Sequence, residues 1–382
     1  MRGRIAALLG VVLLLLLPVL YLASQRQGGG DDRPGRTRVY YVAIDEIDWT
    51  YVPARGDQAI TGRKDDWAGS PDARGVLDPN GSTYRKAVFR EYTDSTFTTR
   101  RTRAAEWEHL GVLGPVLRAE VGDTIRVVLR NSSTKPFSLH PHGVFYTKSS
   151  EGFAYLDSTG TADKGDDAVA AGGSHTYVWP VPERAGPAHG DGSTAFWLYH
   201  SHVDEGADIN AGLIGPIIVT RRGMAREDGS PTDVDREFVM DFGLFAEPQS
   251  RYWSANMARA YGDTTKYDGS NEAMRHFHSF FSINGYLQGN GPMLTMHEGE
   301  RVRWYMFTNP NEVDMWDIHT PHWHGQTAVV NHMRTDMVML TPMMSMIADM
   351  TPDNPGIWLF HCHMTGHFGA GMYTRFRVLP GS

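Results

Sequence analysis

Two stretches of this chain run in step. Gly114-Pro115-Val116-Leu117 and Gly291-Pro292-Met293-Leu294 are each followed by a second glycine, Gly122 or Gly299, seven residues after the proline. Next comes an alternating strand pattern, Asp123 to Val127 or Glu300 to Trp304, then a loop, then a histidine cluster. The clusters are His140-Pro141-His142-Gly143 and His322-Trp323-His324-Gly325. Each stretch closes on an aromatic-rich strand running into another His-x-His, Phe196 to His202 and Trp358 to His363. Many short strands, turn-rich connections and a two-fold repeat restrict the fold to two β-sandwich domains of one kind. Helical periodicity is scarce, while 41 glycines and 21 prolines supply turns. A chain of 382 residues suffices for two cores. The expected domains are 38–222 and 234–382, joined at 223–233 through the breakers Gly223 and Asp228-Gly229-Ser230-Pro231.

Residues 1–37 differ. Arg2 and Arg4 precede an apolar run from Ile5 to Leu22, and a polar Gly/Asp/Arg stretch follows. This pattern is an export signal or a single N-terminal membrane anchor through residues 5–22. Ala23 is small enough for cleavage, but Tyr21 two residues earlier fits poorly, so the pattern does not separate the two. It predicts an exported protein: periplasmic, cell-surface or secreted. The formal net charge is −8, and no Lys/Arg cluster interleaves with aromatics, which excludes nucleic acid as a natural partner.

The only cysteine, Cys362, lies between His361 and His363, with His367 and Met372 following at short spacing. A thiolate, imidazoles and a thioether are the ligands of an electron-transfer copper site, with the methionine axial. Asn354-Pro355-Gly356 signals a turn before the β-prone Ile357-Trp358-Leu359-Phe360, so 357–363 reads as a strand. Alternation then points Cys362 to one face and its flanking histidines to the other. One peptide could touch two different metal centres. A lone thiol in an exported protein also needs protection, and ligation supplies it.

Four His-x-His pairs stand at matching positions of the repeat: His140/His142, His200/His202, His322/His324 and His361/His363. In extended chain i and i+2 share a face, so each pair presents two imidazoles to one region. A three-copper cluster built of histidine needs two ligands for one ion and three for each of the others, which uses all eight. His319, Cys362, His367 and Met372 remain as one complete mononuclear set. The first copy has Phe137 in place of His319 and Ser201 in place of Cys362, so it lacks such a set. His276-Phe277-His278 has the same spacing but no counterpart in the repeat, and is assigned a structural role.

These residues resemble the multicopper oxidase family over nearly all of the chain after residue 38. Tyr40-Tyr41, Trp49-Thr50-Tyr51, Leu113-Gly114-Pro115, Ala119 to Asp123, His200 to Asp204 and Asp349 to Gly356 are similar to the ceruloplasmin, hephaestin and coagulation-factor A-domain branch. With two domains, the chain also resembles the small laccases. The resemblance implies an all-β fold of two cupredoxin-like Greek-key sandwiches. It implies one type 1 copper on His319, Cys362, His367 and Met372. It implies a type 2 copper on His140 and His322, and two type 3 coppers, one on His142, His200 and His363, the other on His202, His324 and His361. It further implies a homotrimer in which domain 1 of one subunit meets domain 2 of the next.

The expected activity is oxidation of a small reductant (Cu(I), Fe(II), Mn(II) or a phenol) one electron at a time, with O2 reduced to water. Asp204 and Glu205 follow His202 and are candidates to deliver protons. Met333, Met337, Met339, Met343, Met344, Met346 and Met350 make the second half rich in thioethers. Such residues either dock Cu(I) or fill core gaps; the alternation of Met337 and Met339 suits a strand's inner face and favours core filling. A copper nitrite reductase is the nearest rival enzyme, but that pattern carries its cysteine site in domain 1, where this chain has Ser201. A non-catalytic copper carrier is the other alternative, and it has little reason to keep a full type 1 set beside a full cluster set.

Overall fold

In the computed structural model, residues 34–53, 83–262, 277–310 and 318–381 are described. The apolar run at 5–22 and His276 lie outside them. Among the described residues no helix is long and apolar enough to cross a membrane.

The chain is all-β. Its first half holds β1 (Thr37–Thr50), β2 (Thr83–Tyr92), β3 (Leu117–Glu120), β4 (Thr124–Asn131), β5 (His140–Pro141), β6 (Ser174–Pro180), β7 (Thr194–His200) and β8 (Ile214–Thr220). These form two four-stranded sheets, β2-β1-β4-β6 and β3-β8-β7-β5. The second half holds β9 (Arg236–Ala246), β10 (Ser279–Ile283), β11 (Leu294–His297), β12 (Val302–Phe307), β13 (Pro321–Trp323), β14 (Ala328–Val330), β15 (Met333–Thr335), β16 (Ser345–Met350), β17 (Gly356–Cys362) and β18 (Tyr373–Leu379). Their sheets are β10-β9-β12-β16-β14-β15 and β11-β18-β17-β13. β9 lies parallel to β12 as β1 does to β4, and β11 parallel to β18 as β3 does to β8. Both halves are cupredoxin-like sandwiches.

Period-two patterning decides where each strand packs. β4 alternates buried Ile125, Val127 and Leu129 with exposed Arg126 and Arg130, so one face meets the core and the other water. β12 is buried along its whole length. Its Val302, Trp304 and Met306 enter the second sandwich's core, while Tyr305 and Phe307 turn the other way. They join Val88, Phe196, Ile218 and Phe245 in a third apolar cluster that fuses the two sandwiches. Two ion pairs lie at this joint. Lys86 Nζ lies 2.5 Å from Glu247 Oε1, Tyr51 Oη donates to the same oxygen at 2.5 Å, and Arg118 grips Glu237 through two bonds. Pairing is what lets such charges be buried at all.

Candidate metal centres

β17 delivers Cys362 to the interior of the second sandwich, where it is fully buried. Its Sγ lies 3.8 Å from His319 Nδ1 and 3.6 Å from His367 Nδ1, and those two nitrogens are 3.2 Å apart. His319 is held by its bridge to Leu340. His367 sits on a one-turn helix, α2 (Thr365–Gly369), between β17 and β18. Met372 is buried in the same cluster, and its carbonyl accepts from the Cys362 amide at 3.1 Å. Two neighbours escaped the sequence reading. The Thr320 amide donates to the sulfur at 3.3 Å, and Phe281 stacks on the His367 ring at 4.2 Å. Thr320 could have been found, since it stands between His319 and His322; Phe281 carries no local signal. Burial opposes a thiolate here, but hydrogen bonds from the His319 and His367 rings and the Thr320 amide outweigh it, and the Cys362 thiol is pulled down to about 6.

The eight remaining histidines form two quartets. At the end of β7, His200 and His202 meet His140 and His142, with ring centroids 5.1–5.5 Å apart. At the end of β17, His361 and His363 meet His322 and His324 at 4.9–5.7 Å. The register explains both: His140 pairs across the sheet with His200, and His322 with His361. Gly143 and Gly325, which close the His-x-His-Gly turns, both have positive φ. A Cβ would stand 2.2 Å from the Trp197 ring at Gly143 and 2.7 Å from the Trp358 ring at Gly325, so only glycine fits.

The quartets are built to donate lone pairs. His140 Nδ1 meets the Glu151 carbonyl at 2.6 Å, and His200 Nδ1 meets that of Ser201 at 3.0 Å. His322 Nδ1 meets the Asp336 carbonyl at 2.9 Å, and His361 Nδ1 that of Cys362 at 2.8 Å. A carbonyl only accepts, so these Nδ1 atoms carry a ring proton, and Nε2 is the nitrogen left to offer a lone pair. His142 Nε2 then lies 2.9 Å from His200 Nε2, and His324 Nε2 3.0 Å from His361 Nε2. Burial, reinforced by neighbouring imidazoles, lowers His142 and His361 to about 4 and pushes His200 well below its usual range. Imidazoles converging by Nε2, beside a buried acidic thiol, are a donor set that fits copper.

The quartets do not meet within one chain. Every ring contact between these eight histidines stays inside its own quartet, and His363 is exposed. A cavity of about 480 Å³ opens beside His140 and His142, lined also by Tyr146, Arg184 and Trp197.

Of the two acids after His202, Glu205 faces the rings: its carboxylate is 3.7 Å from His200 Nε2 and 3.4 Å from His202 Nε2. It begins α1 (Glu205–Ala211), and Asp204 occupies the N-cap position before it. His278 is buried, bonded to the Tyr84 hydroxyl at 2.7 Å, a structural place at the joint. Met350 fills the core as expected, but Met337 and Met339 require a correction. Residues 336–340 pair with 319–323, but Val338 and Leu340 turn into the core while Met337 and Met339 are 41% and 60% exposed. The alternation is there with the opposite phase, because the more apolar branched pair wins the core.

Two family models, both described as multicopper oxidase, match residues 95–223 and 261–382. The human ferroxidase HEPHL1 is 42% identical over 90% of this chain, human hephaestin 39% over 90%, and human ceruloplasmin 37% over 90%. The chain spans only 29–31% of the length of these relatives. Among solved structures, the multicopper oxidase mgLAC superposes with a TM-score of 0.56 at 19% identity, covering 91% of this chain and 88% of the other. The blue copper oxidase from Nitrosomonas europaea gives 0.54 at 17%, covering 90% and 86%. Together with the two halves' shared topology and their histidine-rich strand ends, these likenesses show that the chain belongs to the multicopper oxidase family.

Proposed function

We propose that this chain is a copper-dependent oxidase that takes single electrons from a small reductant at the Cys362 site and reduces O2 to water between two histidine quartets. The observation that carries the reading is the division of β17. Cys362 enters one candidate centre while His361 and His363, its covalent neighbours, enter another. His319, Cys362 and His367, with Met372 beneath, would hold one copper, and the quartets would hold three more. Copper, when bound, supplies the one-electron redox chemistry that no side chain can.

The protein's own contributions are specific. Cys362 and the peptide bonds on either side form the shortest covalent path from one centre to the other. Phe281 and the surrounding core exclude water from the sulfur, which with the Thr320 amide tunes its donor strength. Backbone carbonyls fix the tautomers of four rings, so little reorganisation is needed on metal binding. Glu205, beside two rings, is placed to hand protons toward oxygen.

Since the quartets do not touch within a chain, each is half of a site. We infer that the first quartet of one copy meets the second quartet of another, a heterologous contact that closes into a ring, here a homotrimer. Exposed Met337 and Met339 pair across the strand with His322 and Thr320, which makes them rim residues of that contact. Phe145, which lines the cavity beside His140 and His142, and Tyr155, which packs on the Phe153 ring that covers His202, are exposed. The N-terminal run supports export. One relative's name, ferroxidase, makes Fe(II) the first reductant to try. Oxygen uptake of the copper-loaded protein with Fe(II), Cu(I) and a phenol, measured side by side with Cys362→Ser, tests the reading; equal uptake by the variant refutes it.

A further inference from the structure

The first sandwich has no cysteine at the end of β7, yet something holds that strand end. Ser201 stands between His200 and His202 and is fully buried. Its Oγ donates to Asp208 Oδ2 at 2.7 Å and accepts from the Ser138 amide at 3.0 Å. Asp208 Oδ2 also accepts from the Asp204 amide at 3.0 Å, and Oδ1 lies 3.4 Å from Arg251 Nη1. Arg251 covers the buried Phe137 ring at 5.6 Å. Ser138 in turn accepts from the His202 amide at 3.0 Å through its Oγ.

The second sandwich holds the same strand end differently. There the His363 amide donates to the Thr320 carbonyl at 2.8 Å, and the Cys362 amide to Met372 at 3.1 Å, while the sulfur faces His319 and His367. In the first sandwich the Ser201 amide keeps its bond to the Leu213 carbonyl at 3.1 Å, but the side-chain anchor is Asp208, on α1. That helix is itself tied across the joint. The Asn210 carbonyl accepts from buried Lys86 at 2.8 Å, and Asn210 Oδ1 accepts from the Ala246 amide at 2.7 Å.

We propose that Asp208 is a positioning residue for the His200–His202 arm, doing by hydrogen bonds in the first sandwich what the Cys362 centre does in the second. The proposal rests on the copper reading of the quartets. A buried carboxylate that accepts from Ser201 and from the Asp204 backbone fixes the turn between β7 and α1, and so the direction of both imidazoles and of Glu205. Such partners behind a ligand commonly govern metal affinity.

Asp208→Ala, Asp208→Asn and Ser201→Ala test it, with two readouts. In copper-free protein, amide hydrogen exchange at His202 and Asp204 should accelerate about tenfold or more in Asp208→Ala. The affinity of histidine-bound copper, measured by competition with a chelator, should fall about tenfold or more, while the blue absorption of the Cys362 site persists. Asp208→Asn keeps an acceptor and should restore both. Ser201→Ala, which changes little volume, should show the same losses and serves if Asp208→Ala does not fold. Unchanged exchange and affinity in both alanine variants would overturn the proposal. Wild-type protein that takes up copper at Cys362 alone would defeat the reading of the quartets, and with it the claim that the arm serves copper, whatever the exchange rates.

Discussion

Cys362 and His361 are adjacent in the chain but serve opposite faces of β17. The sulfur stands 3.6 Å from His367 Nδ1 in the core, whereas His361 Nε2 stands 3.0 Å from His324 Nε2 in the quartet. Strand alternation alone produces this separation. It makes the Cys362 side chain removable without disturbing the histidines beside it.

Cys362→Ser replaces a soft thiolate by a hard, neutral oxygen. The variant should lose blue absorption and turnover with every electron donor, yet still bind copper at the histidines. Absorption spectra and metal analysis check this. Loss of all copper, rather than of the cysteine-bound ion, would show that the two centres are not independent.

Glu205→Gln should slow oxygen uptake at saturating reductant by about 10²-fold, the usual scale for a positioned proton donor, with copper content unchanged. Asp204→Asn should remain near the wild-type rate, since Glu205 and not Asp204 meets the rings. Wild-type rates for Glu205→Gln across the pH range would remove it from the mechanism.

Lys86→Met leaves Glu247 as a buried charge without its cation. Removing one partner of a buried pair costs about 3–5 kcal/mol, and the loss should appear in chemical denaturation. Lys86→Met combined with Glu247→Leu should recover much of it. A single variant as stable as wild type would mean that the pair contributes nothing at the joint.

His109 is buried, its Nδ1 donating to the Glu106 carbonyl and its Nε2 accepting from the Val239 amide. Burial, with a smaller push from Arg103, lowers it to about 4. A depressed histidine contributes stability that is complete above pH 6.5 and is lost as pH falls toward 4, on the order of 3 kcal/mol. His142 and His361 act in the same direction in copper-free protein. His109→Gln should therefore flatten, without abolishing, the fall in copper-free stability between pH 6.5 and 4. Identical slopes for variant and wild type would exclude His109 as a contributor.

Much of this was legible in the sequence because its carriers are local. A His-x-His pair in extended chain points one way by geometry, and a cysteine between two histidines must point the other. Met337 and Met339 show the limit: their period is readable, but its phase is set by competition with Val338 and Leu340 for the core. Asp208 and Arg251 were invisible, since their contacts with Ser201 and Phe137 cross from one element to another without any periodic trace. Glu205 and Asp204 could not be ranked before the start of α1 was known. That the two quartets stay apart within a chain is likewise a product of how the sandwiches are joined, not of any motif.

The central claim, that the quartets of different copies complete one another, is tested most directly by mixing two inactive variants. One carries His140→Ala and His142→Ala, the other His361→Ala and His363→Ala. Each alone should be inactive in O2 reduction. Co-expressed in equal amounts, they should recover roughly a quarter of wild-type oxygen uptake, because random assembly pairs an intact first quartet with an intact second one at that frequency. No recovery from mixed assemblies that are folded and copper-loaded at Cys362 would contradict the account.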